Sequence, residues 1–138
     1  AAAKAKFTAK EYPAALAAAQ EAVRKAGELV LAAKAKKDEL VAAWKSAAAQ
    51  MGAQVQAVNG RLAELAKARK LPKGQDKNAI QKAKDELAAV AKDWSDAAAR
   101  FGSGQLKEAV AAAKGLLPRV QAIAARLGVQ PGGAPAAK

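Results

Sequence analysis

Larger apolar side chains recur every seventh residue from Leu16 through Val23 and Val30, and the column continues as Lys37, Trp44, Met51, Val58 and Leu65. A column at this spacing is the seam of helices packed nearly parallel or antiparallel. Ala19, Ala26, Ala33, Leu40 and Ala47 run beside it, and Val41, Ala48, Val55 and Leu62 widen the stripe to the breadth of a bundle face. Thr8 followed by Glu11 reads as a capping box, and Pro13 is tolerated in a first turn whose amides have no intrahelical partner. The first helix is therefore expected to start at about residue 9 to 12. An unbroken helix from Glu11 to Arg69 reaches roughly 88 Å, more than the rest of the chain can cover. The pattern thus predicts a break or kink near 35–38, where Lys37 interrupts the seam and Asp38 can cap a new helix, and a weaker one near 50–53 at Gly52.

"KLPKGQDKN", residues 70–78, is a loop with Pro72 and Gly74 as breakers and Asp76 as the N-cap of the next helix. Ile80, Ala83, Leu87, Val90, Trp94, Ala97 and Phe101 then alternate three and four apart. After "GSG" a last helix carries Leu106, Val110, Ala113, Leu117, Val120 and Ile123, with a kink or short break expected at Pro118 and a stop at Gly128. No strand pattern competes. The expected fold is all-α: an antiparallel bundle of three to four long helices, about 10 to 35, 38 to 69 with a kink, 77 to 101 and 104 to 127. Residues 1–8 read as a frayed segment, 9–128 as one domain and 129–138, "VQPGGAPAAK" in sequence, as a flexible tail. Leu16, Val23 and Val30 are expected to be buried along with Leu40, Trp44, Met51, Val58, Leu62, Leu65 and the apolar columns of the later helices.

Composition narrows the chemistry. The chain has 138 residues, the size of one domain. Its 43 alanines favour helix but bury little area each, so the core is expected to be thin and the helix backbones close. With no Cys and no His there is no disulfide, zinc finger, histidine-bound haem or Ser-His and Cys-His nucleophile pair. Asp85 with Glu86, and Asp93 with Asp96, read as structural salt-bridge partners, since two carboxylates alone make neither a metal site nor an acid-base pair. Gly102 and Gly104 follow a helix, not a strand, so they are no nucleotide fingerprint. Trp44 and Trp94, both on seams, read as core. No catalytic residue, cofactor site or metal site is expected. "KDEL" occurs twice but never at the C-terminus, so it is no retention address. No apolar run has the length of a membrane span. The start "AAAKAK", without methionine, suits initiator removal or a mature chain cleaved after small residues, and the second is the expectation.

"FTAKEYPAALAAAQ" at Phe7 echoes "FGSGQLKEAVAAAK" at Phe101: each sets a turn ahead of an alanine-rich helix. Trp94, Ala97, Phe101, Gly104, Leu106 and Ala109 resemble the inner turn of a tetratricopeptide-type helical hairpin, where small residues let two antiparallel helices approach. The 34-residue period of that family is missing, so no peptide groove carries over. In composition, in this hairpin and in the "KLPKG" turn, the chain is similar to the alanine- and lysine-rich helical-bundle proteins and lipoproteins that bacteria export. That resemblance implies a periplasmic or secreted location, no known active site and further helical residues upstream; the lipid-bearing Cys is absent. A cytoplasmic location is the alternative.

The formal net charge of +12 favours anionic partners through attraction that salt weakens. Lys67, Arg69, Lys70, Lys73 and Lys77 form the densest basic stretch. They read either as an anion-binding patch at a helix-turn-helix corner, for nucleic acid, lipid headgroups or cell-wall polymer, or as a solvated loop that keeps a cationic bundle soluble. No aromatic residue lies among them, so base stacking has no platform. "AAAKAK", "AAKAKK" and "AKARK" resemble linker-histone-like tails, but within amphipathic helices and interrupted by acids. The expected function is a non-enzymatic structural or interaction module, exported, that binds a protein partner or an anionic envelope polymer. The alternative is a basic protein that binds or compacts nucleic acid by neutralising phosphate. The oligomeric state is not readable from the pattern, because alanine-rich seams pack equally well between chains.

Overall fold

Asp76 caps the helix that follows it, accepting a hydrogen bond from the amide of Ala79 at 2.6 Å as the sequence predicts for an N-cap. The computed structural model describes residues 12–130, where three helices follow one another: α1 (Tyr12–Lys67), α2 (Lys77–Gly102) and α3 (Leu106–Arg126). The chain divides into two compact units, Ala1–Glu39 and Leu40–Lys138. The Thr8–Glu11 capping box and Phe7, the start of the echo, lie outside the described residues.

In the second unit the remainder of α1, α2 and α3 form one up-down-up bundle. Its core joins Met51, Val58, Leu62 and Leu65 from α1, Ile80, Ala83, Leu87 and Val90 from α2, and Leu116, Val120 and Ile123 from α3. Trp44 stacks between Trp94 and Phe101, with ring centroids 4.8 Å and 4.7 Å away and interplanar angles of 9° and 12°. All three rings are half-buried, so they close one end of the bundle rather than filling its middle. Asp93 with Arg119 and Glu86 with Arg126 tie α2 to α3 along their exposed edge. The Arg61 guanidinium donates to the Leu127 carbonyl at 3.0 Å and ties α1 to the end of α3.

Both later helices end in the same way. The Gly104 amide bonds the Phe101 carbonyl and the Gln105 amide reaches Arg100, while Gly128 and Val129 bond Ala125 and Ala124. These are Schellman closures, which need a residue at positive φ, and Gly104 and Gly128 supply it at 88° and 74°. The second closure turns Val129 back against the core, where it is buried. α3 runs through Pro118 without the expected break. Proline removes the donor for the Lys114 carbonyl, but Lys114 and Gly115 are exposed and water can take its place.

The all-α prediction and the last two helices agree with the structure. The division of the first helix does not: α1 continues through 35–38 and through Gly52. A helix ends where something replaces its backbone bonds, and neither place has proline or a glycine at positive φ. Lys36 and Glu39 pair at 2.9 Å across the first site, and Lys37 is exposed, so its charge costs no desolvation. At the second site the burial of Met51 and Val58 outweighs the ~1 kcal/mol that a helical glycine loses against alanine.

The burial expected of Leu16, Val23 and Val30 is also overturned. These residues are 60%, 74% and 68% exposed, and among the described residues of the first unit only Ala15 is buried. The heptad column does form one face of a helix, but in this unit no helix among the described residues covers it.

Candidate functional site

The basic corner is built where α1 ends and α2 begins. Lys67 lies in the last turn of α1, where a cation is favoured by the helix dipole; Arg69 and Lys70 follow in a bend, Lys73 in a turn closed by the Gln75 amide on the Pro72 carbonyl, and Lys77 opens α2. Gln75 anchors the loop by donating its side-chain amide to the Arg126 carbonyl at the end of α3. All five predicted cations are exposed.

Three of them come together. Arg69, Lys70 and Lys77 line an open groove of about 640 Å³ whose floor includes Leu65, Leu71 and Ile80. Lys67 and Lys73 stand outside it. Sequence reasoning misses a fourth lining cation, Lys84, although a signal is there: it follows Lys77 by seven residues, two turns along the same face. Lys84 also borders a second groove of about 520 Å³ between α1 and α2, lined mainly by Val55, Leu62, Leu87 and alanines.

Among the described residues none of the corner cations is in a salt bridge, whereas Arg24, Arg61, Arg119 and Arg126 each have a carboxylate partner. The paired groups show it electrostatically: the Arg126 guanidinium holds the Glu86 carboxyl below its ordinary value, and Arg24 does the same to Glu21. The acids read as salt-bridge partners take that role, Asp93 with Arg119 and Glu86 with Arg126, while Asp85 accepts from Gln81 at 2.8 Å. The described residues contain no cluster of three or more potential metal-binding acids.

A second surface lies on the first part of α1, where the sequence predicts core. Leu16, Val23 and Val30, with Leu29 beside them at 71% exposure, form an uncovered apolar face. The opposite face carries the charges, and they satisfy each other within the helix: Arg24 bonds Glu21 at 2.9 Å and pairs with Glu28, and Lys25 lies 3.4 Å from Glu21. No helix among the described residues is long and apolar enough to cross a membrane. Comparison with protein-family models, curated proteins and solved structures finds no match to this chain.

Proposed function

We propose that the protein is a non-enzymatic interaction module that docks a protein helix on the apolar face of α1 between Leu16 and Leu31. One observation carries this reading. A single heptad column is covered at Met51, Val58 and Leu65 and open at Leu16, Val23 and Val30. Each Leu or Val left in water forgoes about 1.5–3 kcal/mol of burial, which a docked helix would recover.

The test is to replace Leu16, Val23 and Val30 together by Asp and follow unfolding by tryptophan fluorescence at low protein concentration. Both tryptophans, Trp44 and Trp94, lie in the second unit, so the signal reports that unit alone. Its stability is expected to stay within about 0.5 kcal/mol of the parent, while retention on a hydrophobic matrix falls. A loss of the size seen for a core lesion would mean that this face belongs to the fold's own core, and would remove the proposal.

The corner supports a second reading, the binding of an anionic polymer, because Arg69, Lys70, Lys77 and Lys84 line one groove and no acid among the described residues pairs with them. Duplex DNA titrated at two salt concentrations separates the candidates. Affinity that survives near physiological salt with a steep salt slope favours nucleic acid; no measurable binding there removes that candidate. Export belongs to the same proposal and rests on the resemblance to exported bundle proteins. Fractionation of the producing cell that finds the chain only in the cytoplasm would remove it.

A further inference from the structure

We propose that the open face of α1 pairs with the same face of a second copy, antiparallel and about a two-fold axis. This rests on the reading of that face as a docking surface and names its occupant. Two alternating columns build the seam, one of larger residues, Leu16, Val23 and Val30, and one of alanines, Ala19, Ala26 and Ala33. In a parallel pair each layer sets like on like, so Leu16 would meet Leu16 of the second copy and Ala19 its Ala19. Wide and narrow layers would then alternate, and no single helix spacing would fill both.

The antiparallel pair removes the conflict. Leu16 then faces Ala33 of the second copy, Val30 faces its Ala19, and Val23 its Ala26, and the two-fold axis repeats each layer in reverse. Every layer holds one larger side chain and one alanine. Ala22 and Leu29 flank the seam on one side, and Gln20 and Gly27 on the other, where the same flank ends in Lys34 beside the terminal layer, an exposed residue whose long stem can keep its ammonium in water when the seam closes. The charged residues of this stretch, Glu21, Arg24, Lys25 and Glu28, are on the far side and paired within the helix.

Charge also fixes the register. A slip of one heptad in one direction carries Lys37 into the seam opposite Ala19 of the second copy, and a slip in the other direction loses two layers. Pairing would supply this stretch with the tertiary contacts from which most helical stability in proteins comes.

The experiment uses the full chain in sedimentation equilibrium over a wide concentration range, with Val23→Asp as the variant. A reversible dimer is expected, with its dissociation constant raised at least roughly 100-fold by the buried aspartate. Because the chain has no cysteine, single replacements report the orientation cleanly. A mixture of Leu16→Cys and Ala33→Cys chains should form the mixed disulfide on oxidation, and each variant alone should form little. Homodisulfides of each variant alone, a dimer indifferent to Val23→Asp, or a monomer at every concentration would each overturn the proposal. The stability of the triple aspartate variant decides the underlying reading separately: unchanged stability in a monomeric protein leaves a docking surface for another partner, whereas lost stability removes both.

Discussion

α1 repeats one pattern in two environments. From Trp44 to Leu65 its heptad column meets α2 and α3, and Val58 is 0% exposed; from Leu16 to Val30 the same spacing meets no helix among the described residues, and Val23 is 74% exposed. The periodicity is equally good in both halves. What separates them is supply: the described chain after Lys67 contains two helices of 26 and 21 residues, and these serve the second unit. A hydrophobic column therefore specifies which face of a helix can pack, and says nothing of whether the rest of the molecule covers it.

The sharpest way to break this comparison is one substitution made in both halves. Val58→Asp places an unpaired carboxylate where no water reaches and should cost at least about 3 kcal/mol, enough to unfold a marginal bundle. Val23→Asp, on the same column, should leave unfolding of the second unit within about 0.5 kcal/mol when measured by tryptophan fluorescence in dilute solution. Equal losses at the two positions would mean that the halves are not different environments.

Next in size is the aromatic closure. Trp44→Ala removes the ring stacked between Trp94 and Phe101. Because the ring is half-buried, the cost should be about 2 kcal/mol, below the 3–5 kcal/mol of a fully buried tryptophan. Chemical denaturation reads it, with the emission of Trp94 moving towards that of a solvated indole. No change in either would show that the stack is incidental to stability.

Much of this fold is legible in the sequence, for reasons that explain the rest. Ile80 to Phe101 reads as a helix because its apolar positions never miss, and Asp76 reads as its cap because a carboxylate one residue before a helix has unpaired amides to bond. α1 is misread at Lys37 because a charge in a seam has two physical meanings, a helix end or a face in water, and only the structure chooses between them. The described helices leave the first part of α1 uncovered, but a break does not follow from that, since a helix can remain uncovered. At the corner, Lys67 to Lys77 stand out as a run in sequence. Lys84 escapes such a reading because a groove gathers residues by turns of helix, not by adjacency.

Glycine positions give a smaller and opposite pair of effects. Gly104→Ala should cost about 1–2 kcal/mol, because its φ of 88° strains any Cβ even though the space around it is open. Gly27→Ala and Gly52→Ala meet nothing within 4 Å at helical backbone and should each gain up to about 1 kcal/mol of helix stability. Far-UV circular dichroism separates the halves here: Gly27→Ala should raise helicity without moving the tryptophan transition, and Gly52→Ala should move that transition upward. A gain in the tryptophan transition from Gly27→Ala would couple the two halves more tightly than their burial indicates.

The smallest effect is electrostatic, and it contrasts a pair that joins helices with one that stays within a helix. Arg126 lowers the pKa of Glu86 across the α2–α3 edge, and Arg24 lowers that of Glu21 one turn away in α1. A carboxyl whose folded pKa lies below its unfolded value contributes stability that is present above the unfolded value and disappears as pH falls through the folded one. Acidification should therefore weaken the second unit through Glu86 and loosen the first part of α1 through Glu21. Both pairs are exposed, so the contributions are modest and high salt should reduce them. The measurement is a difference: Glu86→Gln should flatten the acid limb of the tryptophan transition relative to the parent, while Glu21→Gln should lower neutral-pH helicity and leave that transition alone. If the parent and Glu86→Gln lose stability equally over the acid range, the Arg126 pair does not hold α2 to α3, and the bundle edge depends on apolar packing and the Asp93–Arg119 pair.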